Sequence, residues 1–281
     1  MIYISTSCTK NNKISQSIEF LAKQGFKNIE LSGGSNYYDN ILYDLKELKS
    51  RYKLNYLVHN YFPPPKNHFV LNMASLNDVI FNKTMDHYKS AINLAKDVGA
   101  TKFGLHAGFF IDPGIDQLGN PISFQKVANK EKAIKRFCDG FSILKEKADS
   151  IDLYIENNVI SSANFKTYNE NILMLTNSEE YNQLSQKLEF NLLIDVAHLK
   201  VSCNTLGLDF AEELSFLWDK SDYIHLSDND GYSDSNLPIL SKSEIFDFLK
   251  IHFDNNKTYT LEIYEHISEI KKTQILINNI L

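Results

Sequence analysis

The sequence is poor in the residues that mark several protein classes. It has three cysteines in 281 residues, Cys8, Cys138 and Cys203, odd in number and far apart. That excludes a disulfide framework and a CxxC metal site, and reads as reduced thiols. Arginine is nearly missing: of 29 basic residues only Arg51 and Arg136 are arginine, and the formal net charge is −6. A chain so short of guanidinium forks and of a basic footprint is disfavoured as a nucleic-acid binder. No apolar run approaches the ~20 residues of a membrane span. The longest, such as FNLLIDVA, meet a charge within a few residues. The opening MIYISTSC enters strand-like sequence with neither a basic nor an apolar leader, so a cytoplasmic protein is expected. Low-complexity segments and flexible linkers are also missing, so one domain over residues 1–281 is expected.

What is present is alternation. Short runs rich in Ile, Leu, Val and Tyr occur at 2–7 (IYISTS), 28–32 (NIELS), 55–59 (NYLVH), 102–106 (KFGLH), 152–157 (DLYIEN), 191–195 (NLLID), 223–227 (YIHLS) and 259–263 (YTLEI). Runs of this kind suit strands covered on both faces. Amphipathic stretches separate them. Ile14, Ile18, Leu21 and Ala22 form one helical stripe, with Gly25 in the stop position. Ile134, Phe137, Phe141 and Leu144 form another, and Ser75 with Asp78 reads as a capping-box variant opening a helix that runs to about Gly99. A last helix is expected from about Ser268. Strict alternation implies a parallel sheet with crossover helices. An open doubly wound sheet usually carries a Gly-rich phosphate turn after its first strand, and STSCTKNN has no glycine. The closed (β/α)8 TIM barrel is therefore predicted, an α/β fold of one domain.

The ends of these runs carry the chemistry. Glu30, His59, His106, Glu156, Asp195, His225 and Glu262 close the second to the eighth, although Asp and Glu number only 35 and His 8 in the whole chain. In a barrel the strand ends share one mouth, so these groups converge whatever their sequence distance. Converging carboxylates and imidazoles need neutralising, and a divalent cation does so most simply. Glu156, Asp195, His225 and Glu262 form the expected ligand set. Glu30 also suits a structural carboxylate paired with a lysine at the rim, and His59 alone also suits a core histidine bonded to a backbone carbonyl. His68, His87, His252 and His266 fall in loops or helices, where exposure is expected. His198 follows Asp195 by three residues, so both can face the mouth. Tyr61, Phe62, Phe109 and Phe110 in the loops either wall a pocket or pack the loops down. Three carboxylates and one imidazole suit Mn²⁺ first, with Mg²⁺, Co²⁺ or Zn²⁺ also accommodated. Such a site fits a ketose or other α-hydroxy carbonyl substrate. One of Glu156 and Glu262 would remove the proton beside a metal-polarised carbonyl, and the other would return a proton, through an enediolate.

The segments HNYFPPPKNHFVLNMAS, LHAG, IEN, DVAH, HLSDNDGYSDSNLP and LEI, in this order and at these strand positions, resemble the xylose-isomerase-like TIM-barrel superfamily. It includes sugar isomerases and epimerases, and the endonuclease IV type of apurinic-site nuclease. In the isomerase and epimerase branch the resemblance implies one metal on Glu156, Asp195, His225 and Glu262. It also implies that Glu156 and Glu262 act as an acid/base pair on opposite faces of a small carbohydrate substrate. His198 matches a position that often holds a substrate hydroxyl, and His59, His106 and Asp234 are expected to line the same substrate site. Homo-oligomers are common in that branch. The nuclease branch implies three zinc ions on His59, His106, Glu156, Asp195, His198, His225, Asp234 and Glu262. It also needs a histidine two residues after Asp234, where this chain has Asn236. No Gly-rich phosphate cradle follows the seventh or eighth run, so a phosphorylated sugar is not indicated, though Lys200 or Lys242 could bind one.

Overall fold

A computed structural model describes residues 1–280. Eight strands form a closed barrel: β1 (Ile2–Ser5), β2 (Asn28–Leu31), β3 (Asn55–His59), β4 (Lys102–His106), β5 (Asp152–Glu156), β6 (Asn191–Asp195), β7 (Ser221–Leu226) and β8 (Thr258–Leu261). Each pairs in parallel with the next in sequence, and β8 closes on β1. The helices are α1 (Ile14–Lys23), α2 (Ile41–Tyr52), α3 (Asp78–Asp97), α4 (Lys130–Ala148), α5 (Ser162–Tyr168), α6 (Ser178–Ser185), α7 (Val196–Leu206), α8 (Phe210–Trp218), α9 (Glu244–His252) and α10 (Ile267–Asn278). Among the described residues no helix is long and apolar enough to cross a membrane.

The apolar stripes pack where their periodicity places them. Ile14, Ile18 and Leu21 of α1 and Phe137, Phe141 and Leu144 of α4 are buried in the shell between helices and barrel. Gly25, with φ +98°, turns the chain out of α1 into a conformation that a side chain would resist. The start of α3 differs from expectation. Asn77 is its N-cap, accepting from the Val79 N–H at 2.9 Å. The Ser75 hydroxyl donates to Asp112 at 2.9 Å instead, which ties the β3 loop to the β4 loop.

Inside the barrel the side chains stack in layers. Tyr3, Leu57, Tyr154, Leu193 and Tyr223 form a buried interior cluster. Side chains two residues apart on a strand share a face. The next layer toward the strand ends is therefore Ser5, His59, Glu156, Asp195 and His225, all buried. An apolar plug thus supports a polar layer by strand periodicity alone. β4 contributes Gly104 beside this polar layer. A Cβ there would come within 2.7 Å of Leu193 Cδ1 and 2.9 Å of His59 Cδ2, so the His59 ring occupies space that only glycine leaves. Below, Lys102 donates to the Tyr154 hydroxyl and lies 3.1 Å from Asp222. Phe62 and Phe110 are buried in the main core, and Phe109 bridges to Leu173, so these aromatics pack the loops onto the barrel. Tyr61 does the same through its hydroxyl, which accepts from the Phe69 N–H and meets His68.

Candidate metal centre

Glu156, at the end of β5, is the hub. Its Oε2 lies 2.6 Å from His59 Nε2 and 3.3 Å from His106 Nδ1, and its Oε1 lies 3.4 Å from His225 Nδ1 and 3.8 Å from His198 Nδ1. His225, on β7, turns its Nδ1 toward Glu262 Oε2 at 3.1 Å, Glu156 Oε1 at 3.4 Å and Asp195 Oδ2 at 3.9 Å. The sequence-predicted ligand set therefore gathers around one imidazole nitrogen.

Local structure aims each of these groups. Asp195 ends β6 and caps α7: its Oδ1 accepts from the His198 N–H at 2.8 Å. That one bond explains the DVAH spacing, because it leaves Oδ2 facing the site and seats His198 above it. Asn157 clamps the same corner, accepting from the Asp195 N–H at 2.7 Å and donating to the Asp195 carbonyl at 3.0 Å. Its own carbonyl meets His198 Nδ1 at 2.9 Å. His198 Nε2 then lies 3.2 Å from Asp234 Oδ2 on the β7 loop. Glu262, just past β8, is held from outside: Ser7 and Tyr264 donate to its Oε1 at 2.8 and 2.9 Å. Sequence reasoning missed Asn157, Ser7 and Tyr264. The IEN segment carries a signal for Asn157, and Tyr264 lies two residues from Glu262, whereas Ser7 meets it only through barrel closure.

Glu30 differs from expectation. It pairs with no lysine; it is fully buried, with Oε2 3.0 Å from His225 Nε2 and accepting from Tyr223 and Thr260. His68, His252 and His266 are exposed as expected. His87 is not: it is half-buried among Tyr61, Phe69 and Tyr88, and burial pushes its imidazole down to about 4. Lys200 is committed to Asp228 at 2.7 Å, the Asn229 carbonyl at 2.9 Å and Glu244 at 3.1 Å, so it is no free phosphate anchor. Asn236 is buried, and its Oδ1 accepts from the Ser227 hydroxyl at 2.9 Å, a bond that ties this side chain to the loop.

The electrostatics follow from crowding. Burial alone would raise Glu262, but the His225 imidazole beside it holds it down at about 2. Against the same burial, the imidazoles of His106, His59 and His225 hold Glu156 well below the usual carboxylate range. Burial pushes Asp195 up to about 7, against the pull of His198. Burial would lower His225 and His198, yet the surrounding carboxylates raise both well above the usual imidazole value. His106, less well compensated, is pushed by burial down to about 4. The site is a concentration of negative charge that draws positive charge to itself.

Two observations test whether this donor set fits a cation. Asp195, His225 and Glu262 each offer a ligand atom within 4.8 Å of the others, as do His59, His106 and Glu156. Glu156 Oε1 and His225 Nδ1 are buried without a hydrogen-bond partner. A carboxylate oxygen and an imidazole nitrogen facing each other, buried and without hydrogen-bond partners, are what a metal ion satisfies. The residues fit the group.

The fold has known counterparts, although no curated protein matches the sequence. A D-tagatose 3-epimerase-like protein is similar over 99% of this chain and 96% of its own, at 18% identity and TM-score 0.73. A 3-keto-D-glucoside 4-epimerase from E. coli is similar over 99% and 98%, at 12% identity and TM-score 0.66. Endonuclease IV from Thermus thermophilus is similar over 99% and 98%, at 13% identity and TM-score 0.62. At such identities the likeness is one of fold. The family profile described as xylose isomerase-like TIM barrel matches residues 18–259, and the chain belongs to that family.

Proposed function

We propose that this protein is a divalent-metal-dependent isomerase or epimerase of a sugar or sugar-like hydroxy-carbonyl compound. The observation that carries the reading is the unpaired His225 Nδ1 facing Glu156, Asp195 and Glu262. These four residues would hold the ion, Mn²⁺ first and Mg²⁺, Co²⁺ or Zn²⁺ as alternatives, and a bound ion polarises a substrate carbonyl so that the neighbouring C–H is more acidic. The chain supplies the rest. Glu156 and Glu262 stand on strands three apart around the barrel, so each can reach a different side of a substrate in the mouth. One takes the proton and the other returns one. Ser7 and Tyr264 keep the Glu262 carboxylate aimed while its proton load changes. His106, Asp234 and His198 edge the mouth; the first two have side chains 27% and 28% exposed, enough to hold substrate hydroxyls. His59, 5% exposed, serves through Glu156. Likeness of fold to proteins named as epimerases supports this reading.

The test is deuterium exchange from solvent into a panel of ketoses, keto acids and inososes. Wild-type protein with Mn²⁺ should label at least one at the carbon beside the carbonyl. Glu156→Gln and Glu262→Gln should each lower that exchange by ~10²-fold or more with the fold intact. Full exchange in either variant removes that residue from the acid/base role.

A second reading, a zinc-dependent phosphodiesterase on abasic DNA, is favoured by one observation: His59, His106 and Glu156 converge into a seat that a one-metal site does not need. It is weakened by Asn236, which is tied to Ser227 where that reading needs a histidine ligand. Cleavage of a duplex with one abasic site, together with close to three zinc ions per chain, would establish it over the first.

A further inference from the structure

We infer that Glu30 is a positioning residue that decides which nitrogen of His225 is offered to the cation; the inference rests on the metal reading above. Glu30 reaches the polar layer from β2, a strand that supplies no member of the ligand set. Its Oε2 accepts from the hydroxyls of Tyr223 and of Thr260, the latter at 2.9 Å, and its Oε1 from the Ser32 hydroxyl at 3.3 Å. The carboxylate, its three hydroxyl partners and His225 are buried to 2% exposure or less, so water does not compete for these bonds. An oxygen that already takes hydrogens from two hydroxyls is an acceptor. His225 Nε2, 3.0 Å away, must therefore carry a hydrogen and donate it. A neutral imidazole has one N–H, so the lone pair is left on Nδ1, the nitrogen facing Glu156, Asp195 and Glu262.

Without Glu30 the ring has a better choice. It would place its hydrogen on Nδ1 and donate to Glu262 Oε2, 3.1 Å away, filling the seat with a hydrogen bond. With Glu30 in place that choice leaves Nε2 and the carboxylate as two lone pairs face to face. Glu30 thus trades an internal hydrogen bond for an open ligand position. Carboxylates behind metal-bound histidines fix ring and tautomer in this way, and removing one typically weakens metal binding about 10–100-fold.

The test uses the full-length protein labelled with ¹⁵N-histidine and titrated with Zn²⁺, read at the His225 ring nitrogens. Loaded wild-type protein should show Nε2 protonated and Nδ1 coordinated. Glu30→Gln should weaken Zn²⁺ binding at His225 about 10–100-fold and, in the loaded protein, leave Nε2 no longer fixed as the protonated nitrogen. Tyr223→Phe keeps the carboxylate but removes one of its donors. It should give a smaller loss of the same sign, and it carries the test if the Gln variant does not fold. Unchanged affinity and unchanged ring protonation in both folded variants would overturn the role of Glu30 alone. A wild-type protein with no Zn²⁺ at His225 would overturn the metal reading, and this inference with it.

Discussion

His225 and Glu262 show how single side chains divide their work. Each uses one polar atom to be held and the other to face the site: His225 is held by Glu30, Glu262 by Ser7 and Tyr264. Hydrogen bonds to a charged group are worth about 1.5–3 kcal/mol. Tyr264→Phe and Ser7→Ala should therefore each lower kcat about tenfold or more, with little change in KM, by steady-state assay on whichever substrate the exchange screen finds. Equal kcat in both would mean that Glu262 needs no outside support. The pH behaviour also belongs to this scale. His198 and His225 have raised values in the fold, so their stabilisation of the metal-free protein is complete below the ordinary imidazole value of about 6.5 and is lost as pH rises through the raised ones. Glu156 and Glu262 are depressed, so theirs is complete above the ordinary carboxylate value and is lost as pH falls, toward about 2 for Glu262. Metal-free protein should thus melt at a falling temperature as pH is raised from 6.5. The gain on adding Mn²⁺ should grow over the same range, because the coordinated His225 imidazole no longer needs a proton. Scanning calorimetry at several pH values with and without Mn²⁺ checks both. The strand-end carboxylates and imidazoles are legible in the sequence because strand position alone sets them. Glu30 misleads because its neighbours in sequence say nothing of Tyr223 and Thr260, which meet it only across the closed barrel.

At the scale of elements, the strands are legible because each is a short apolar run with sharp polar ends, and β3, β4 and β6 have the expected bounds. Connections are less so. The Ser75 signal is genuine chemistry spent elsewhere, on Asp112, and the strict alternation hides a second helix after β5 and after β6. Asn72 explains why the long β3 and β4 loops hold their shape: its Nδ2 donates to the carbonyls of Phe109 at 3.0 Å and Ile111 at 2.9 Å, and its Oδ1 accepts from the Phe109 N–H at 3.0 Å. β4 gives the sharpest prediction here. Gly104→Ala puts a methyl where His59 Cδ2 and Leu193 Cδ1 already stand. Overpacking of this kind costs roughly 1–3 kcal/mol. The variant should melt several degrees lower and exchange substrate protons more slowly, since His59 cannot keep its bond to Glu156; urea unfolding and the exchange assay read the two losses separately.

For the whole molecule, a ring of strands turns distant residues into one site, and the cost is a cluster of like charges at the core of the mouth. A ligand that binds only the folded state adds about 2.7 kcal/mol at a hundred times its Kd, which for a chain of this size is a melting shift of about 5 °C. Chelation by EDTA should lower Tm by that order, and Mn²⁺ should restore it. The most direct test of the account is an anomalous difference map from crystals soaked in Mn²⁺. The account predicts a manganese peak within coordinating distance of Glu156, Asp195, His225 and Glu262, lost in His225→Gln. A map with no peak among these four residues in the wild-type protein would contradict it.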